Sequence, residues 1–308
     1  MITAYTFVDG LPQSIDDLKQ AQWLDVTAPT DADITLLCAD FDVPADFLRA
    51  PLDVHERPRM ERVGSAFLLI LRAPHSDVGR KKLVFSTRPL AVIITPQAVI
   101  TCAEKENFAR SYFQRKLRPA ERTPVGAALT LALRVGADYI LHLDHLDQRI
   151  EDMERTLHDS MRNEELLSLL QLQKTLIYFI TAMKGDMAVL ERMGRAPELP
   201  LEPKETALWE DALIEIRQAS DMAEIYSQTL TGLADAMGAV VSNNLNGVMK
   251  FLTGVTIVMM IPTIFAGFYG MNVPLPFTDS PRTFYALLGL CLALCLGMGL
   301  YFRRKSWL

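Results

Sequence analysis

The sequence predicts an α+β protein: an N-terminal α/β domain carrying a helical hairpin, one very long helix that continues into a membrane span, and a second C-terminal membrane helix. Three observations carry this. Short apolar runs bounded by Pro, Gly or charge occupy residues 1–125. No proline interrupts the 58 residues between Pro203 and Pro262. Two stretches near the C-terminus, 251–268 and 283–302, hold no charged residue.

The first domain is assigned to 1–203. The runs 66–71 (AFLLIL), 90–94 (LAVII) and 98–101 (AVIT) are too short for helices and suit buried strands. Thr30, ahead of Asp31 and Asp33, supplies a helix start, and Pro44 opens a second short helix. A central sheet covered by helices is the economical arrangement.

The hairpin is placed at 127–194. Its first helix shows Ile140, Leu143, Leu146, Ile150 and Met153 at steps of three and four; its second shows Leu169, Leu172, Leu176, Phe179 and Met183, with a break at Asn163 and Glu164. The acids Asp138, Asp144, Asp147, Glu151, Asp152 and Glu154 read as a solvated face, as do His142 and His145, which are spaced to hold a metal.

A stalk helix follows at 204–250. Run continuously from Pro203 to Pro262 it would measure about 87 Å, so it needs copies of itself or other helices to pack on. Trp209, Ala212, Ile216, Ala219, Ala223, Tyr226, Leu230, Leu233, Met237 and Val240 form a seven-residue seam of bundle type.

The first span, 251–268, is 18 residues long, about what a hydrocarbon layer requires. Asn246, Met249, Thr253, Thr256, Met260, Thr263 and Gly267 recur by three and four along it and form one polar stripe. Polar side chains at that depth either pack helices together or face water in a bundle interior. A single helix encloses no cavity, so a water-lining face requires a symmetric homo-oligomer. Pro262 is expected to kink or free the helix as a hinge. The second span, 283–302, has no such stripe and belongs outside the first, towards lipid, with Gly289, Gly297 and Gly299 allowing close contacts. Lys250 precedes the first span, and Arg303, Arg304 and Lys305 open the basic tail 303–308; the loop 269–282 holds only Asp279 and Arg282. Both termini are therefore placed inside, in the cytosol.

Composition narrows the function. A net charge of −6 offers no electrostatic footing for nucleic acid. MITAYTFVDG has no basic start or long apolar core, so export of the first domain is not expected. Cys38, Cys102, Cys291 and Cys295 lack paired metal-ligand spacing. There is no phosphate-binding glycine loop and no nucleophile constellation, which argues against an enzyme and leaves a membrane-anchored sensor or enzyme as the alternative of another class.

The first span ends in Tyr269, Gly270, Met271 and Asn272 (YGMN), between two C-terminal spans. This resembles the signature of the CorA family of magnesium transporters. Asn246, Val248, Met249 and Lys250 are similar to the family's approach to that helix, RRKSWL (303–308) to its basic ending, and WLDVTAPT (23–30), ERPRMER (56–62) and PLAVIITPQAVIT (89–101) to its soluble domain.

The resemblance implies a homopentameric, funnel-shaped Mg2+ transporter of the plasma or bacterial inner membrane, passing Co2+ and Ni2+ as well. A zinc transporter of the same family is the alternative. It makes Gly270, Met271 and Asn272 the selectivity filter, Asn246, Thr253, Thr256, Thr263 and Gly267 pore lining, and Met249, Leu252 and Met260 a hydrophobic gate. It also makes Asp235 a candidate regulatory Mg2+ ligand. Mg2+ tolerates near-octahedral oxygen geometry and sheds water reluctantly, which suits a ring of carboxamides that accepts from its waters without stripping them. The loop departs from many relatives in having Asp279 as its only acid, so cation concentration there is weak.

Overall fold

The structure, a computed structural model, describes residues 1–77, 84–105, 109, 117–156, 163–273, 281–305 and 307. The chain forms two compact units, Met1–Gly232 and Leu233–Leu308.

The first unit is built on a seven-stranded mixed sheet of order β2-β1-β3-β7-β6-β5-β4. Its strands are β1 (Ile2–Val8), β2 (Leu11–Ile15), β3 (Trp23–Thr27), β4 (Arg59–Val63), β5 (Ala66–Asp77), β6 (Val84–Ile94) and β7 (Val99–Ala103). Only β3 and β7 run parallel. The three predicted runs all fall in strands, β5, β6 and β7. The first two extend well past their apolar stretches because the long antiparallel pair continues through polar residues from Arg72 to Asp77. Sequence reading did not assign β1 to β4. The edge strands β2 (LPQSI) and β4 (RMERV) keep much of their surface in solvent, so neither needs an apolar run.

One face of the sheet carries α1 (Asp31–Phe41) and α2 (Ala45–Arg49) over a core of Leu24, Val26, Leu37, Phe47, Leu48, Leu68, Ile70 and Ile93. Thr30 starts α1 as expected. Its hydroxyl accepts the Asp33 N–H at 3.2 Å and its own N–H donates to the Asp33 carboxylate at 2.9 Å. Two hairpin helices, α3 (Pro124–Thr156) and α4 (Asn163–Gly194), contact β5 and β6.

Two interior strands carry a proline, Pro74 on β5 and Pro89 on β6. Arg72 on β5 faces Pro89 on β6, and its N–H and carbonyl turn away from that strand towards the helices. The hairpin satisfies both. The Tyr139 hydroxyl on α3 donates to the Arg72 carbonyl at 2.7 Å, and the Arg72 N–H donates to the Asp186 carboxyl on α4 at 2.9 Å. Burial pushes the Tyr139 hydroxyl well above its ordinary range.

The stalk and first span are one helix, α5 (Pro203–Tyr269), which continues through Pro262. Within the first unit its seam is consumed by the hairpin. Ala212, Ile216, Ala219, Ala223 and Leu230 are buried; the Trp209 indole donates to the Leu190 carbonyl at 2.7 Å, and Lys184 pairs with Glu224 at 2.7 Å. Up to Leu230 the seam is therefore an intrachain contact. It does not by itself require further copies.

Two surface expectations change. His142 is not an open helix face: its ring lies edge-on to Phe85 at 5.1 Å, and its Nδ1 sits 2.7 Å from the Asp138 carbonyl, while His145 is exposed. Asp138 is largely covered, and burial raises its carboxyl above the usual range. The break at Asn163 and Glu164 lies inside α4, which begins at Asn163.

Candidate functional site

The second unit consists of the last part of α5 and the helix α6 (Pro281–Arg304). Residues 274–280 of the loop, with Asp279, and Ser306 and Leu308 of the tail lie outside the described residues.

The α5 segment in this unit has two unlike sides. One packs on α6: Gly254 is buried, and Val255, Ile257, Val258, Ile261 and Phe265 are partly covered. A groove of about 440 Å3 lies between the helices, lined on the α5 side by Pro262, Phe265, Ala266 and Tyr269. The other side carries every residue of the polar stripe. Asn246, Met249, Leu252, Thr253, Thr256, Met260, Thr263 and Gly267 are all exposed, and the two sets lie about 150° apart at 100° per residue. Met249, Leu252 and Met260 each keep more than half their surface uncovered, at 53%, 56% and 54%. The stripe is thus not a packing face for its own α6.

The threonines reach their hydrogen bonds locally. The Thr256 hydroxyl donates to the Leu252 carbonyl at 2.7 Å and the Thr263 hydroxyl to the Met259 carbonyl at 3.0 Å. Each proton is spent on the helix, which leaves the oxygen lone pairs outward.

Pro262 removes the N–H that would bond to the carbonyl four residues earlier, that of Val258. A thiol from the neighbouring helix takes its place: Cys295 Sγ donates to the Val258 carbonyl at 3.6 Å. Proline is tolerated in a membrane helix when neighbours satisfy the freed backbone in this way. Gly289, Gly297 and Gly299 are not contact points within the subunit, since a Cβ at any of them meets nothing within 4 Å. The close-packed glycine is Gly254, hidden among larger apolar neighbours in the sequence.

At the end of α5, the Gly270 N–H bonds to the Ala266 carbonyl at 2.9 Å and the Met271 N–H to the Phe268 carbonyl at 3.4 Å. Gly270 is not among the residues with positive φ, so the turn does not require a left-handed backbone. What glycine supplies is space: a Cβ there would lie 2.9 Å from the Ala266 carbonyl oxygen. Met271 and Asn272 follow, both exposed.

Residues 19–304 match the profile of the family described as CorA-like Mg2+ transporter protein. The chain belongs to the CorA family. Its relatives include the cobalt/magnesium transport protein CorA of Methanocaldococcus jannaschii, 27% identical over 296 residues, covering 93% of this chain and 91% of that protein. The corresponding protein of Thermotoga maritima is 23% identical over 300 residues, covering 95% and 85%. In fold the chain is similar to the complete structure of the CorA magnesium transporter from M. jannaschii, with TM-score 0.87 and 23% identity over 100% of this chain and 99% of that one. It is also similar to the cytoplasmic domain of ZntB from Vibrio parahaemolyticus, with TM-score 0.60 and 13% identity over 78% and 98%. CorA proteins are divalent-cation transporters and not enzymes.

Asp235, the regulatory candidate, is exposed on the CorA stalk helix. Among the described residues no group of three or more His, Cys, Asp and Glu is gathered in one subunit to hold a metal ion.

Proposed function

We propose that the protein is a homo-oligomeric Mg2+ uptake channel, passing Co2+ and Ni2+ as well, seated in the plasma or bacterial inner membrane with both ends in the cytosol. The observation that carries this is the uncovered polar face of α5, opposite the side that α6 occupies. Copies arranged with that face inward enclose a shared axis; five is the number the family resemblance implies.

On that axis Asn272 offers carboxamide oxygens at the outer mouth, with Gly270 and Met271 shaping the turn. Thr263, Gly267, Thr256, Thr253 and Asn246 continue a neutral oxygen-bearing path. A hydrated Mg2+ keeps its waters and binds too weakly to be trapped. Met249, Leu252 and Met260 form apolar rings that shed water and act as the gate. The positive-inside bias of Lys250, Arg303, Arg304 and Lys305 sets the orientation. Asp235 supplies one carboxylate per subunit, so a regulatory Mg2+ there must draw further ligands from other copies; its occupancy keeps the gate shut.

Cation flux into liposomes, compared for the intact protein and Asn272→Ala, tests the reading. Mg2+ flux that the substitution abolishes supports it. Absence of divalent flux returns the chain to a membrane-anchored domain, and Zn2+ flux in preference to Mg2+ makes it a zinc transporter. Flux in Asp235→Ala that still shuts off at the same internal Mg2+ removes the regulatory role alone.

A further inference from the structure

The hairpin brings a buried acid against the Arg72 backbone. Asp186 on α4 has no exposed surface. One carboxyl oxygen accepts the Arg72 N–H at 2.9 Å, and the other has no hydrogen-bond partner among the described residues. Among the described residues no Lys, Arg or His side chain forms an ion pair with it.

The groups that face Asp186 explain its isolation. From β5 comes Arg72, whose guanidinium is already committed to the Thr87 hydroxyl at 2.9 Å, the Thr87 carbonyl at 2.7 Å, and the carbonyls of Val54 at 3.0 Å and Glu56 at 2.6 Å. From α3 comes Tyr139, whose hydroxyl proton goes to the Arg72 carbonyl, with Asp138 next to it in the chain. On α4 itself, Lys184 reaches out to Glu224. A carboxylate here would carry an uncompensated charge on a buried oxygen that no described residue donates to.

We propose that Asp186 is held as a neutral carboxylic acid and forms a proton-linked latch: protonated, it seats the α3–α4 hairpin on the sheet, and ionised, it loosens that seating. Burial pushes its carboxyl well above the ordinary carboxylate range, outweighing the Arg72 N–H and the more distant Arg72 charge. The sign follows. The unfolded chain loses this proton near pH 4 and the folded chain keeps it, so the folding equilibrium contributed by Asp186 weakens by roughly tenfold per pH unit above about pH 4, until the folded value is reached.

The test uses the full-length detergent-solubilised protein and Asp186→Asn, which reproduces the shape of the neutral acid without its proton. From about pH 5 to about pH 9 the unfolding midpoint of the unsubstituted protein should fall relative to that of the variant, by up to the tenfold-per-unit factor above. Hydrogen exchange should place the alkaline loss of protection in α3 and α4 and not uniformly across the sheet. A constant gap between the midpoints, or a uniform loss, overturns the proposal. If Asp186→Asn does not assemble, infrared spectra of 13C-carboxyl-aspartate protein in an Asp138→Asn background read the state directly. A protonated-carboxyl band at neutral pH supports the latch, and carboxylate bands alone refute it.

Discussion

The Tyr139 hydroxyl donates to the Arg72 carbonyl at 2.7 Å, beside the Arg72 N–H that donates to the Asp186 carboxyl at 2.9 Å. Side chains from two helices thus satisfy both backbone groups of one strand residue. Removing the hydroxyl by Tyr139→Phe should leave a buried carbonyl unsatisfied and cost about 1–3 kcal/mol of stability. Denaturation midpoints of the two proteins measure it, and an unchanged midpoint would show that the hydroxyl is not what satisfies that carbonyl.

Cys295 plays the parallel part in the membrane unit, donating to the Val258 carbonyl that Pro262 leaves open. Cys295→Ser keeps a donor and should be tolerated. Cys295→Ala should destabilise by roughly 0.6 kcal/mol, the scale of a polar contact between membrane helices. Thermal midpoints of the assembled protein decide it, and Cys295→Ala matching Cys295→Ser would refute the role.

Gly270→Ala brings a Cβ to 2.9 Å from the Ala266 carbonyl oxygen. The end of α5 must open to accept it, at about 1–3 kcal/mol of backbone strain. Where that strain has to be met at the mouth of a conducting path, flux should fall by roughly tenfold or more, with assembly retained on size-exclusion chromatography. Unchanged flux would mean that the turn does not shape the path.

Cys102 is buried, its Sγ sits 3.5 Å from the Leu48 carbonyl, and loss of solvent pushes its thiol up to about 12. Because the thiolate is the reactive form, Cys102 should resist alkylation at about pH 8 in the folded protein and react on unfolding. Peptide mass spectrometry reads it, and labelling of folded protein at Cys102 would contradict the burial.

How far the sequence was legible depends on what each residue pattern reports. Runs such as AFLLIL in β5 are apolar because both faces of that strand are covered, so they declare themselves. RMERV in β4 lies at the edge of the sheet and carries no such signal. The α5 stripe was legible because membrane depth makes any Thr or Asn conspicuous. The partner of Pro262 was not, since a proline announces a missing donor without saying which element will supply one. Cys295 lies 33 positions from Pro262; only the fold brings it beside the vacant carbonyl. Gly270 illustrates a different limit. A glycine in sequence does not say whether its backbone freedom or its missing side chain is used, and the structure uses its lack of a side chain.

The inward bonds of Thr256 and Thr263 also bear on the sign of the ion. A hydroxyl whose hydrogen already points at its own helix turns only electron density towards a neighbour. Water around a cation directs its hydrogens outward and finds such oxygens congenial, whereas chloride or phosphate would meet lone pairs and be repelled. Discrimination against anions can thus be built into a wall that carries no formal charge, independently of the acid-poor loop outside it.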